Sequence, residues 1–256
     1  VPLRPRRSHA ARRSHAARLA ALAALAVASC TLLGGLAVPA SATASAQTGG
    51  GRAERSAATE GVSASGRTVT KRFRAVVRDL PVARETRAGY DRDLFVHWVD
   101  ADGDCRDTRD EVLAQESLVA VSGCDVQRGK WRSYYDGVET RDSSDFDIDH
   151  TVALAEAWDS GAKRWTADTR ERYANDLADR RSLVAVSASS NRSKGDRDPA
   201  EWLPERATCR YLRYWAVVKT RWQLRVNQAE KDVLVRRAAR CDNLRLSIRV
   251  ARVEYR

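Results

Sequence analysis

The stretch Phe146-Asp147-Ile148-Asp149-His150-Thr151-Val152-Ala153-Leu154-Ala155-Glu156-Ala157-Trp158 sets a carboxylate directly beside an imidazole, between apolar residues. A carboxylate can hold a cation while a neighbouring ring takes a proton, which is the pairing needed for attack by water on a charged ester. An isolated Asp-His pair is ordinarily a satisfied surface or core histidine, so the pair gains meaning only from what surrounds it. Downstream, Ser182-Leu183-Val184-Ala185-Val186-Ser187 reads as a short strand. It runs into the polar segment Ala188-Ser189-Ser190-Asn191-Arg192-Ser193-Lys194-Gly195-Asp196-Arg197-Asp198-Pro199, then Glu201 and Trp202, giving the order strand, loop, helix.

Further out, Tyr211–Trp222 and Gln228–Arg240 carry apolar residues at three-and-four spacing and read as two helices. Toward the start, Asp93–Val99 is aromatic and β-branched and predicts a buried strand. Val69–Val77 fits a strand or a helix equally. The turn Asp100-Ala101-Asp102-Gly103-Asp104, with Glu111 at the twelfth place, imitates a calcium loop. Its sixth place, where the bend needs Gly, is Cys105, so the pattern is rejected.

The chain of 256 residues has length for one ordinary core, not two full enzymatic domains. Its first 46 residues hold six arginines and no acid, followed by an apolar run from about Leu19 to Val38 and the exit Ala44-Ser45-Ala46. They read as a signal peptide, which predicts a secreted, extracellular protein. Val27-Ala28-Ser29-Cys30 has the form of a lipoprotein site, and lipidation at Cys30 is the alternative to plain cleavage. Losing those six arginines takes the formal charge from +11 to +5, a mild bias toward polyanions. Residues 47–80, Gly-, Ala- and Ser-rich in their first part, are read as a flexible linker, leaving 81–256 as the folded domain.

Four cysteines remain, and an even number in an exported chain predicts disulfides. Of three pairings, loop length and neighbourhood favour Cys105 with Cys124 and Cys209 with Cys241. A structural zinc site is the poorer reading, because no pair has the spacing by which two thiolates reach one ion from a single turn. Trp158, Trp165, Trp202, Trp215 and Trp222 sit at helical spacings near apolar neighbours, and packing rather than base stacking is assigned to most of them. His97, before Trp98 on an apolar run, is assigned to packing as well.

Asp147 to Val152, followed some forty residues later by Asn191-Arg192-Ser193-Lys194-Gly195-Asp196, resembles the HNH (His-Me finger) nuclease motif. The wider chain resembles secreted actinobacterial HNH proteins related to the C-terminal domain of GmrSD restriction enzymes. That resemblance covers about Ala88 to Cys241 and includes Gly89-Tyr90-Asp91-Arg92, Asp107-Thr108-Arg109, Asp149-His150, Tyr173-Ala174-Asn175-Asp176 and Asn191 to Asp198 with Trp202. It implies an α+β fold with a ββα-metal core and additional C-terminal helices. It implies His150 as general base, with Asp149 and Asn191 binding one divalent ion, Mg²⁺ with Mn²⁺ as substitute. Attack by water would leave a 5′-phosphate and a 3′-hydroxyl on DNA, and secondarily on RNA.

The pattern departs at its middle Asn, which falls on Ser182; a hydroxyl there can still hydrogen-bond and orient the histidine. Arg109, Arg192 and Lys194 are the candidates to grip phosphates. The alternative function is a secreted, non-catalytic binding protein on the same scaffold. Retention of Asp149, His150 and Asn191 together argues against it.

Overall fold

The computed structural model describes residues 66–256; the signal segment, the Cys30 alternative and residues 47–65 of the expected linker lie outside them. Among the described residues the fold is α+β, with three two-stranded antiparallel sheets embedded among helices.

Strand β1 (Thr68–Arg72) pairs with β6 (Arg245–Arg249), Val69 opposite Ile248, and leads directly into helix α1 (Phe73–Asp79). Val69–Val77 is therefore neither strand nor helix but one followed by the other. The linker assignment over 66–80 is corrected by the same observation. Phe73, Val76 and Val77 are core residues, and β1 finds its partner at the far end of the chain. Local periodicity carries no trace of a pairing nearly 180 residues away, and four of the five β1 side chains are exposed.

The expected strand Asp93–Val99 is also corrected. Arg92–Leu94 is a single 3₁₀ turn capped by Asp91, which accepts a hydrogen bond from the Asp93 N–H. No strand lies alongside it among the described residues, and Phe95 alone of this segment buries fully while Val96 stays 52% exposed.

Helix α2 (Thr108–Glu116) is capped by Asp107. The hairpin β2 (Arg128–Arg132) and β3 (Glu139–Asp142) follows. Strand β4 (Phe146–His150) then pairs with β5 (Leu183–Ser187), His150 opposite Leu183 and Asp149 opposite Val184. Between them run α3 (Leu154–Asp159) and α4 (Ala167–Ala174), and after them α5 (Ala188–Lys194), which packs back on both strands. Helices α6 (Thr208–Arg221) and α7 (Gln228–Ala238) close the fold, joined by the Cys209–Cys241 disulfide; Cys105–Cys124 is the second.

The β4–β5 pair separates two apolar clusters. Val184 and Val186 join the large core of α1, α6 and α7, while Leu183 and Ala185 join a smaller one with Phe146, Ile148, Val112 and Trp131. A strand buried on both faces reads as a continuous apolar run, which is why 183–186 was legible in the sequence. Strand alternation then puts Phe146, Ile148 and His150 on one face of β4 and Asp147 and Asp149 on the other, toward α5. No helix among the described residues is long and apolar enough to cross a membrane.

Candidate active site

His150 ends β4 and is buried. Its Nε2 lies 2.8 Å from the Ala174 carbonyl, which only accepts, so Nε2 carries the proton and Nδ1 is left with a lone pair. The ring lies between Trp98 and Tyr173, near-parallel to both, with centroids 5.7 and 6.3 Å away. Trp98 holds this place from a left-handed backbone conformation, φ 62°, that a bulky side chain rarely adopts. Burial pushes the imidazole down to about 3, against the hydrogen bond to Ala174, so the ring is neutral at physiological pH.

Asp149 is buried among polar partners. Its Oδ1 accepts from Lys194 Nζ at 2.8 Å and its Oδ2 from the Tyr135 hydroxyl at 2.5 Å. Burial raises its pKa, opposed by Lys194 and Tyr135. Asp147, one pleat earlier and half-buried, accepts from Asn191 Nδ2 at 3.1 Å. That bond uses the amide's donor and leaves its oxygen free to act as a ligand.

The start of α5 is tied down by Ser187, which caps it, and by Asp136, which accepts from Ser187 and, at 2.7 Å, from Ser190. Burial alone would raise Asp136; the Ser187 and Ser190 hydroxyls outweigh it and lower its pKa. The helix stops at Gly195, φ 58° and ψ −129°, a conformation open to glycine.

A cleft of about 350 Å³ opens here, lined by His150, Asp149, Asn191 and Arg192 together with Arg87 and Arg92. Asp159 and Asp196 pair with the Arg87 guanidinium and raise its pKa. Arg92 lies 3.2 Å from His97 Nε2. Sequence reasoning passed over both arginines, although Arg92 stands in the Gly89–Arg92 segment already singled out. His97 is half-buried, its Nδ1 2.7 Å from the Phe95 carbonyl.

Three expected site residues are placed elsewhere. Lys194 has no exposed surface; its ammonium reaches Asp149 and, at 3.1 Å, the His150 carbonyl, so it pins α5 to β4 and cannot grip a phosphate. Arg109 donates to the Ser143 and Phe146 carbonyls, both at 3.1 Å, and anchors the entry to β4 rather than lining the cleft. Ser182 does not touch the His150 ring. Its hydroxyl donates to Asp176 at 2.7 Å, within a buried cluster that also holds Arg221 and Trp222. The Ala174 carbonyl does the orienting that was expected of Ser182, and a backbone atom leaves no residue type to recognise. Arg192 remains at the cleft, 76% exposed.

Residues 108–237 match the GmrSD restriction endonuclease C-terminal domain family. The chain belongs to that family, which makes residues 108–237 a nuclease-related domain. It is also 43% identical over 150 residues, 57% of this chain and 72% of the relative, to an uncharacterized secreted protein of Arthroderma benhamiae. With two disulfides inside the domain, the chain is a secreted protein. No solved structure matches it.

Proposed function

We propose that the protein is a secreted, metal-dependent endonuclease of the HNH type, in which β4, β5 and α5 form the ββα core and nucleic acid, DNA before RNA, is the substrate. The observation that carries the reading is the tautomer of His150. A neutral ring with Nε2–H committed to Ala174 offers Nδ1 as a base in a cleft that also holds Asn191.

The donor set suits a hard divalent cation. Asn191 has a free amide oxygen, and each Asp149 oxygen accepts one hydrogen bond and keeps a second lone pair. Asp149 and Asn191 would hold Mg²⁺ or Mn²⁺, with Asp147 beside them. When bound, the ion supplies positive charge against the charge that grows on the phosphate and the departing oxygen. His150 Nδ1 takes the proton of the attacking water as its oxygen bonds to phosphorus. The P–O3′ bond breaks and the departing O3′ takes a proton from solvent water, leaving a 5′-phosphate and a 3′-hydroxyl. Arg92 and Arg192 face the phosphate from the rim, and Trp98 and Tyr173 keep the imidazole from rotating.

The test is cleavage of plasmid DNA and of RNA by the oxidised protein with Mg²⁺, Mn²⁺ or EDTA, beside folded His150→Ala. Cleavage that needs the cation and falls by about 10²-fold or more in the variant supports the reading. A folded, metal-supplied protein that cuts neither substrate overturns it.

A further inference from the structure

A groove of about 340 Å³ lies between the segment after α5 and the last turn of α7. Trp202 and Leu203 form one side, Val233 with Arg236, Arg237 and Arg240 the other, and Glu201 contributes the lining's carboxylate. The three arginines are exposed, and none forms a salt bridge among the described residues. Cations at a helix C-terminus are favoured by the macrodipole. That accounts for basic residues in the last turn, but not for their lining one groove with an indole.

Two contacts connect this groove with the cleft. The Trp202 Nε1 donates to Ser193 Oγ at 3.2 Å, two residues beyond Asn191 on α5. The Trp202 ring also packs edge-on against Tyr135, centroids 5.2 Å apart, and Tyr135 is the residue whose hydroxyl holds Asp149. Cys241, next to Arg240, is bonded to Cys209 at the start of α6, so this wall is braced covalently.

We propose that this groove is a second contact for the nucleic-acid backbone, carrying the strand from the cleft past Arg192 and Trp202 to Arg236, Arg237 and Arg240. The inference rests on the nuclease reading for its ligand. Guanidinium groups bind phosphates bidentately, and three of them line this one groove. A mildly basic protein gains little affinity from net charge, so phosphate contacts gathered in one groove account for binding better than a diffuse field does.

The experiment measures binding of a fluorescently labelled 30-base-pair DNA duplex by anisotropy across a salt series, in the His150→Ala background so that cleavage plays no part. The variants are Arg236→Glu/Arg237→Glu/Arg240→Glu, the same three positions changed to Gln, and Arg245→Glu/Arg249→Glu on β6 as a control. Circular dichroism and melting establish that each is folded, and the Gln set serves if the Glu set is not. Expected is a Kd at least fivefold weaker for the α7 variants, with log K against log salt shallower by about 2 to 3, and an unchanged control. A change under fivefold, or a folded parent that binds no duplex, overturns the proposal. If the wild type cleaves DNA but the α7 variants bind normally, the nuclease reading stands and this surface falls. If the wild type cleaves nothing while binding depends on the three arginines, the surface stands and the nuclease reading falls.

Discussion

The ammonium of Lys194 sits 2.8 Å from Asp149 Oδ1, and neither side chain has more than 5% of its surface exposed. A buried pair of this kind adds little net stability, but removing one partner strands the other charge. Lys194→Met is expected to lose about 3–5 kcal/mol in urea unfolding. Asp149→Asn/Lys194→Met should recover part of that loss, because the stranded carboxylate is gone. Additive single-variant losses would show that the two groups do not depend on each other.

His150 supplies a pH-dependent contribution of definite sign. Its folded pKa, about 3, lies below the ordinary histidine value of 6.5, so the unfolded chain binds the extra proton between those values. The contribution is present above pH 6.5 and is lost as pH falls toward 3. Melting curves of His150→Asn against wild type should converge on acidification through that window. Ring ¹⁵N shifts of the wild type should report the Nε2–H tautomer from pH 5 to 8; a doubly protonated ring at pH 6 would contradict the burial argument.

Glu116 works in the opposite direction. Burial lifts its pKa to about 7, opposed by the hydrogen bond from the Ala185 N–H on β5. Its stabilising contribution is complete below about pH 4.5 and is lost as pH rises through 7. Glu116→Gln keeps an acceptor for Ala185 and removes the charge. Its advantage over wild type is expected to grow from pH 5 to pH 8 by about 2 kcal/mol, allowing for partial exposure. A constant difference across that range would count against it.

In the proposed mechanism Asp147 acts through Asn191, whose amide it holds. Asp147→Ala releases the amide that the carboxylate now orients, and kcat for DNA is expected to fall on the order of tenfold to a hundredfold. KM and the melting temperature should hardly change. An unaltered kcat would mean that Asn191 needs no such support.

The Cys209–Cys241 bridge closes a separation of 32 residues. Cys209→Ser/Cys241→Ser should cost about 3–4 kcal/mol, chiefly by loosening the unfolded chain. Reversible denaturation of the oxidised wild type and the variant measures it.

What could be read from the chain alone was what neighbouring residues dictate. The Asp149-His150 pair, the β5 run, the two C-terminal helices and the cysteine pairing all have short-range signatures of composition, period or loop length. Tertiary structure decided which atoms meet. It joined β1 to β6 across the whole domain, and it turned Lys194 inward because a buried Asp149 needs a counter-charge. It gave the orientation of His150 to a backbone carbonyl at Ala174 rather than to Ser182. Arg109 and Lys194 look in sequence like any exposed cation, since charge type is local and burial is not. Whether a cation faces a phosphate or a carboxylate depends on distant segments that only folding brings alongside.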